Sequence, residues 1–194
     1  MGKELGPEYY DTYSNHPLSP YWVVLYDKAI DLLPNNTNIK IAELGCGPGL
    51  FAEFLYRKGY ENYWGIDFSK SCIEWAKKRV PSYQFKMGNL YDENIQKRFP
   101  DYDVFICLET LEHMTNDLAV IKTIPKGKKI IFSVPNRDDI AHVRYFQNLQ
   151  SVIQRYSSII YFIKGQIVPG INGKKFFLIY GEKHERSYNH SKVL

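Results

Sequence analysis

Short apolar runs and amphipathic stretches follow one another through the middle of the chain. Residues 39–45 (IKIAELG) are a mainly apolar run that is typical of a buried strand. In residues 50–59 the apolar side chains of Phe51, Phe54 and Leu55 recur at the spacing of one helix face. This strand-then-helix order then repeats, which predicts βαβ crossovers and a parallel sheet with helices on both faces.

The whole pattern predicts seven strands and six helices. The predicted strands are residues 39–45, 62–68, 83–89, 102–109, 128–136, 158–168 and 174–183. The predicted helices are residues 19–34, 50–59, 70–80, 93–99, 117–124 and 146–157. Because no helix separates the last two strands, they are expected to pair antiparallel. The predicted fold class is α/β: a Rossmann-like, doubly wound, seven-stranded sheet that is mostly parallel, with an antiparallel C-terminal edge hairpin.

The length of 194 residues suits a single domain with a sizeable core. We divide the chain into an N-terminal cap segment and helix (1–37), a core domain (38–182) and a polar tail (183–194). The apolar runs are too short to span a bilayer, and the first residues lack the apolar region of a signal peptide. The protein is therefore expected to be cytoplasmic, with no membrane span.

Composition and charge add two expectations. Cys46, Cys72 and Cys107 show no metal-ligand spacing and lie in apolar segments, which predicts buried, reduced thiols. Residues 1–120 hold 12 Lys and Arg against 17 Asp and Glu, a balance of −5, whereas residues 121–194 hold 13 against 4, a balance of +9. The basic C-terminal part favours an anionic substrate or nucleic acid, unless it is only a solvated basic face.

A glycine-rich turn, residues 42–49 (AELGCGPG), ends the first strand of the repeat. Ligands bind at this place in open α/β sheets. Gly45 and Gly47 let a ligand approach bare main chain, and Pro48 suits the first turn of the following helix. The spacing is not that of a pyrophosphate-binding turn, and Glu43 would repel a diphosphate. The turn therefore favours a ligand with an ammonium or sulfonium charge.

Polar residues also follow the next strands. Asp67 lies 20 residues beyond Gly47, where an acidic side chain can accept hydrogen bonds from both hydroxyls of an adenosine ribose. The residues at successive strand ends are Gly45 and Gly47, Asp67, Asn89, Glu109 and Asn136. This ordered series is much more specific than one glycine turn, and it predicts one ligand site along the carboxyl edge of the sheet.

The segments ELGCGPG, GID, GNL and DVFICLETLEH resemble the successive motifs of class I S-adenosylmethionine-dependent methyltransferases. The resemblance covers roughly residues 20–182, including the reversed hairpin. Around SVPN and HVRYF, the sequence is similar to the ubiquinone-pathway O-methyltransferase subgroup. It implies an enzyme that uses S-adenosylmethionine and releases S-adenosylhomocysteine.

The resemblance also implies how the cofactor is held. Gly45 and Gly47 would lie under the methionine part, Asp67 would hold the ribose, and Phe68 and Leu90 would flank the adenine. Asn89 would face the adenine amino group, although the family usually has Asp at that position. The complete set of implied cofactor-binding residues is Glu43, Gly45, Cys46, Gly47, Asp67, Phe68, Asn89, Leu90, Leu108 and Glu109.

Two histidines are placed to assist the chemistry. A sulfonium methyl group is already reactive, so the enzyme mainly aligns the reacting atoms and needs a base only if the acceptor must lose a proton. His113 follows the fourth strand and His142 lies in the loop after the fifth, both on the ligand side of the sheet. They are the candidate catalytic residues, against the alternative that they only cap or pack.

Glu109, Glu112 and His113 form an E-x-x-E-H motif to which His142 could add a fourth ligand. The motif is similar to the metal site of small-RNA 3′-terminal 2′-O-methyltransferases and is also widespread in the ubiquinone-pathway enzymes. The longer histidine-rich segment of the RNA enzymes is missing here. We therefore expect no metal, with Glu109 contacting the cofactor or substrate directly.

The acceptor class follows from what surrounds the site. No [DNS]-P-P-[YF] follows the fourth strand, which favours oxygen or a small amine over the amino groups that this motif holds. The N-terminal segment and the loop after the fifth strand are expected to roof the acceptor, and four tyrosines there could stack on a ring or sugar. These are Tyr10, Tyr13, Tyr21 and Tyr145.

The main hypothesis is a small-molecule methyltransferase, directed at oxygen. The alternatives are an RNA 2′-O-methyltransferase with a metal-assisted E-x-x-E-H site and a non-catalytic adenosyl-ligand-binding protein. A nicotinamide oxidoreductase is disfavoured by the glycine spacing, by Glu43 and by the lack of chain for a second domain. The acceptor, the pathway and the oligomeric state stay open.

Overall fold

The computed structural model describes residues 2–12, 18, 20–92, 94 and 101–184, with residue 21 as backbone alone. The strands are β1 Lys40–Leu44, β2 Asn62–Asp67, β3 Gln84–Met87, β4 Val104–Leu108, β5 Lys129–Pro135, β6 Ile160–Pro169 and β7 Lys175–Lys183. The helices are α1 Pro7–Asp11, α2 Pro20–Ile30, α3 Leu50–Arg57, α4 Lys70–Arg79, α5 Asp117–Lys122 and α6 Leu149–Tyr156, with a 3-10 turn at Leu111–His113.

The strands form one sheet in the order β3-β2-β1-β4-β5-β7-β6. The first five strands in this order are parallel to one another, and β7 pairs antiparallel with both β5 and β6. The strand order reverses between β1 and β4. Ligands of open α/β sheets bind at such a switch point, so the fold places the carboxyl ends of β1 and β4 at the centre of a site.

Apolar residues fill both faces of the sheet. One cluster joins the sheet to α2, α3 and α4, and a second joins it to α5 and α6. Strand β4 is buried along its whole length, as expected for a central strand covered on both faces. The predicted α/β fold, the parallel core and the antiparallel edge hairpin are confirmed.

Several predicted boundaries differ from the structure. The helix predicted at 19–34 ends at Ile30. Helix α3 begins at Leu50 with Gly49 in the left-handed region at its N-cap, so Pro48 precedes the helix instead of lying in its first turn. Ser69 caps α4 by accepting a hydrogen bond from the N–H of Cys72, a common role for serine just before a helix. The helix predicted at 93–99 and most of the polar tail lie outside the described residues.

The expectations for cysteines and membrane spans can also be compared with the structure. Cys46, Cys72 and Cys107 are free and buried, as predicted. None of the helices in the described part of the chain combines the length and apolar character that crossing a bilayer requires.

Candidate functional site

The glycine turn between β1 and α3 exposes main chain at the switch point. Gly45 and Gly47 have φ values of +78° and +50°. The N–H groups of Gly45 and Cys46 both donate to the carbonyl of Ile66, at 2.9 Å, which fixes the turn against β2. A Cβ atom on Gly45 would lie 2.5 Å from the side chain of Thr110, whereas one on Gly47 would meet nothing within 4 Å. The backbone at Gly47 is therefore open to a ligand.

Asp67 joins the turn to the end of β2. Its Oδ2 accepts the N–H of Gly47 and its Oδ1 accepts the N–H of Ser69, each at 2.9 Å. The side chain is nearly buried, and burial raises the pKa of its carboxyl group. Each carboxylate oxygen keeps a further lone pair. The structure thus holds Asp67 rigidly where a ribose is expected, with capacity to accept two hydroxyl groups.

The residues expected to flank the adenine lie just beyond Asp67. Phe68 is 36% exposed, and its ring centroid lies 5.3 Å from that of Tyr10. The Oδ1 of Asn89 accepts the N–H of Tyr91 at 2.9 Å, which makes a local turn after β3. Leu90 is buried. The Oδ1 of Asn89 therefore uses one lone pair for a hydrogen bond within the chain, and its second lone pair can accept from a ligand.

Glu43 lies under the glycine turn and is buried. The hydroxyl of Tyr63 donates a hydrogen bond to its Oε2, and the buried thiol of Cys46 lies nearby. Burial raises the pKa of Glu43 to about 8, against the lowering effect of the Tyr63 hydrogen bond. A cationic ligand above the turn would favour ionisation of this carboxyl group.

The end of β4 carries a strained acidic residue. Leu108 is buried, and Glu109 follows it with a φ of +47°, which is uncommon for a residue with a side chain. Ser133 on β5 holds Glu109 in this conformation: its Oγ accepts the Glu109 N–H at 3.0 Å and donates to Glu109 Oε1 at 2.8 Å. Burial raises the pKa of Glu109 to about 7. Glu109 is thus fixed at the switch point opposite the glycine turn.

Glu112, His113 and His142 form a compact cluster beside Glu109, with ligand atoms all within 4.8 Å of one another. The Nδ1 of His113 lies 3.0 Å from the carbonyl of Ala141, and the Nδ1 of His142 lies 3.0 Å from the carbonyl of Arg137. Because a carbonyl oxygen accepts only, each Nδ1 carries the proton and each Nε2 keeps its lone pair. Burial lowers the pKa of both imidazoles, that of His113 to about 4.

This cluster fits a divalent cation. Both carboxylate oxygens of Glu112 are buried and have no hydrogen-bond partner among the residues that the structure describes. Burial, and next the charge of Glu109, raise the pKa of Glu112. Once a cation displaces its proton, the Glu112 carboxylate and the two unprotonated Nε2 atoms form a suitable ligand set, and carbonyl groups orient both imidazoles as in many metal sites. Glu109 accepts the hydroxyl of Ser133 and is not part of this group of ligand atoms, although its carboxyl group interacts with that of Glu112.

Arg144 braces the turn that carries Glu112 and His113. Its guanidinium donates to the carbonyls of Leu111 at 2.6 Å, of Thr115 at 2.8 Å and of Met114. It also lies 3.3 Å from the buried carboxylate of Asp117. The loop after β5 therefore supplies both His142 and the support for His113.

Asn136, which was expected at the ligand site, makes a structural contact instead. The structure also brings residues to the site that the sequence did not indicate. Asn136 joins the loop after β5 to the hairpin: its Oδ1 accepts the N–H of Lys175 at 2.7 Å. Thr110 and Ser133 touch site residues through contacts that no sequence spacing indicates. Glu4 and Asp11 contact the site from the N-terminal segment, for which the sequence suggested only its tyrosines as a roof.

Comparison with known proteins decides the family. A family model described as a methyltransferase domain matches residues 23–165. The chain belongs to the family of class I S-adenosylmethionine-dependent methyltransferases. This methyltransferase is 32% identical to the ubiquinone biosynthesis O-methyltransferase of Coxiella burnetii over 109 residues, which are 53% of this chain and 46% of that relative. The chain spans less than half the length of such curated relatives.

Two solved structures share the fold of the methyltransferase. The N-methyltransferase NodS from Bradyrhizobium japonicum, in complex with S-adenosyl-L-homocysteine, aligns with a TM-score of 0.72 and 15% identity, covering 92% of this chain and 98% of NodS. The methyltransferase domain of bacterial CtHen1-C aligns with a TM-score of 0.64 and 22% identity, covering 82% of this chain and 97% of that chain. Both likenesses concern the fold alone.

Proposed function

We propose that the protein transfers a methyl group from S-adenosylmethionine to an oxygen atom of a small-molecule acceptor. The observation that carries this proposal is the pair of unprotonated Nε2 atoms on His113 and His142, in the segments that follow β4 and β5. A lone pair at this position suits an acceptor that must lose a proton. The name of the Coxiella burnetii relative, an O-methyltransferase of ubiquinone biosynthesis, supports oxygen as the acceptor atom.

The cofactor half of the site binds and orients the donor. The open backbone at Gly47 would carry the methionine part, and the two oxygens of Asp67 would accept the ribose hydroxyls. Glu43 and Glu109, on either side of the switch point, would gain negative charge as the sulfonium approaches, because a nearby cation lowers the pKa of a buried carboxyl group. The bound cofactor supplies an activated methyl group, so the protein mainly provides alignment and exclusion of water.

The two histidines would take up the proton that the acceptor hydroxyl loses. Because burial holds the pKa of His113 near 4, its Nε2 is unprotonated at neutral pH and can accept a hydrogen bond, and then the proton, from the acceptor hydroxyl. The Nδ1 hydrogen bond to Ala141 fixes the ring for this contact. His142, with a ring centroid 4.9 Å from that of His113, is placed to orient the same hydroxyl.

This proposal predicts separate effects on binding and turnover. His113→Gln should lower kcat by about 10²-fold, the lower end for general bases because this imidazole is weakly basic, while leaving S-adenosylhomocysteine affinity within about twofold. The measurement is release of S-adenosylhomocysteine with a panel of phenols, catechols and aliphatic alcohols. His184→Gln, beyond the end of β7, is the matched control. Acceptors methylated at nitrogen, or unchanged turnover in His113→Gln, would contradict the proposal.

A second candidate function is 2′-O-methylation of RNA with a bound divalent cation. The fit of Glu112, His113 and His142 to a cation favours it, together with the +9 charge balance of residues 121–194. Such a cation would be held by Glu112 and the two Nε2 atoms and would polarise an acceptor hydroxyl as a Lewis acid.

Metal analysis separates the two candidates. Under the second, protein dialysed against chelator should bind about one Mn²⁺ or Co²⁺ per chain, and Glu112→Gln should abolish this binding while Glu182→Gln, on the edge hairpin, should not. RNA binding should also weaken steeply as salt rises. Absence of both effects would exclude the RNA candidate and leave the small-molecule acceptor as the proposed function.

A further inference from the structure

Residues 2–12, which we call the strap, lie across the carboxyl edge of the sheet. The N–H of Gly2 donates to the carbonyl of His142 at 2.9 Å. A Cβ atom on Gly2 would lie 2.0 Å from the carbonyl oxygen of Ile140, so the strap is packed closely against the loop after β5. At its other end, α1 packs against α4, the helix that follows Asp67. The strap therefore spans the switch point from one side to the other.

Glu4 fastens the strap on the side of the histidine cluster. One of its carboxylate oxygens, Oε2, accepts the N–H of Thr115 at 2.7 Å and the hydroxyl of Tyr91 at 3.0 Å. The same hydroxyl of Tyr91 accepts the N–H of Asn116 at 3.2 Å. Glu4 thus joins the strap to the segments that follow both β3 and β4. Hydrogen bonds to a charged acceptor are the stronger kind in proteins.

Asp11 fastens the strap on the cofactor side. Its Oδ1 accepts the hydroxyls of Ser69 and Ser71, the latter at 2.8 Å. Ser69 is also the N-cap of α4 and donates its own N–H to Asp67. The carboxylate of Asp11 is therefore linked through one serine to the residue expected to hold the ribose.

Tyr10 lies between these two fastenings. Its ring centroid is 5.3 Å from that of Phe68 and 5.5 Å from that of His113. Its carbonyl accepts the thiol of Cys72 at 3.8 Å. Tyr10 thus forms a wall shared by the adenine side of the cofactor site and the proposed acceptor site.

The strap adds little to the core. Helix α1 has no buried residue, whereas the helices on the sheet faces contribute many. Apart from the ring contacts of Tyr10 and the packing of α1 on α4, polar contacts at few points hold it, and segments of this kind open at low free-energy cost. It can therefore move without disturbing the sheet.

We propose that the strap is a lid over the cofactor, that Glu4 and Asp11 are its latches, and that both must release before S-adenosylhomocysteine leaves. When closed, the lid places Tyr10 as a positioning residue between Phe68 and His113 and keeps water from the reacting atoms. This inference rests on the proposed function, because it takes the pocket under the strap to be the cofactor site.

The test is the rate at which bound radiolabelled S-adenosylhomocysteine exchanges with unlabelled ligand. The double variant Glu4→Ala/Asp11→Ala should release it about tenfold faster than the unmodified protein, since two charged hydrogen-bond acceptors are lost. Glu8→Ala removes an exposed charge of the same sign from the same helix and is the matched control. Thermal melting should stay within about 2 °C for both, because the strap is not part of the core.

Each outcome bears on the inference. Faster release in the double variant with an unchanged control supports the latches, and greater amide-exchange protection of residues 8–12 with ligand bound would support closure. Release within twofold of the unmodified protein, or an equal effect of Glu8→Ala, would overturn the inference while leaving the proposed function intact. If the unmodified protein does not bind S-adenosylhomocysteine, the proposed function fails and the lid fails with it.

Discussion

At the scale of single residues, the site concentrates carboxyl groups whose pKa values are raised. Burial raises the pKa of Glu43 to about 8 and that of Glu109 to about 7, and it raises those of Asp67 and Glu112 as well. Without a cation nearby, Glu43 is therefore largely protonated at neutral pH. A sulfonium, an ammonium or a metal ion would favour ionisation, so ligand binding should release protons.

Glu43 gives a pH-dependent prediction. Its pKa is about 8 when folded against about 4.5 when exposed, so its stabilising contribution is present below pH 4.5 and is lost as pH rises toward 8. Glu43→Gln keeps an acceptor for the Tyr63 hydroxyl and has no titration. Between pH 5 and pH 8, the free energy of unfolding of the unmodified, ligand-free protein should therefore fall by roughly 3 kcal/mol relative to that of the variant.

Urea unfolding at both pH values measures this difference. Glu61→Gln changes an exposed residue just before β2; it is the control and should show no such difference. A Glu43→Gln variant whose stability follows the unmodified protein at both pH values would show that Glu43 is ionised in the folded state.

At the scale of elements, one buried carboxylate joins the pieces that carry the histidine cluster. Asp117, at the start of α5, receives two hydrogen bonds from Arg155 and one from the hydroxyl of Tyr156, both on α6, and it lies 3.3 Å from Arg144. Arg144 in turn holds the turn that contains His113. The position of His113 therefore depends on packing between α5, α6 and the loop after β5.

Asp117→Asn should lower the free energy of unfolding by roughly 3 kcal/mol, because it leaves two arginines without their buried counter-charge. Asp31→Asn, from the exposed Lys28–Asp31 pair, should cost less than about 0.5 kcal/mol. Urea unfolding compares the two variants directly. A loss below 1 kcal/mol for Asp117→Asn would mean that Asp117 does not hold these elements together.

Elements with local signals could be predicted from the sequence. The strand before Gly45, the cap at Ser69 and the edge hairpin each depend on residues close together in the chain. The contact of Glu4 with Thr115 joins residues 111 positions apart, and that of Thr110 with Gly45 depends on how β4 lies beside β1. Propensity and periodicity carry no information on such contacts. The contacts of Glu4 and Asp11 with the segments after β2, β3 and β4 were therefore not predicted.

At the scale of the whole molecule, the topology brings the separate motifs to one edge. Reversal of strand order between β1 and β4 places the glycine turn opposite Glu109, and parallel pairing brings Asp67 and Asn89 to the same side. The sequence motifs follow strands that are all parallel, so predicting the sheet was enough to place these motifs at one edge. The strap contacts this edge from outside the sheet through Glu4 and Asp11.

The most direct test of the account is calorimetric titration with S-adenosylhomocysteine, alongside NAD as a comparison ligand. We predict micromolar binding of S-adenosylhomocysteine to the unmodified protein, and binding at least about tenfold weaker in Asp67→Ala, because the ribose loses a charged acceptor. Glu74→Ala, an exposed change on α4, should bind normally. Preference for NAD, no binding at all, or full affinity in Asp67→Ala with its fold intact would contradict the cofactor site described here.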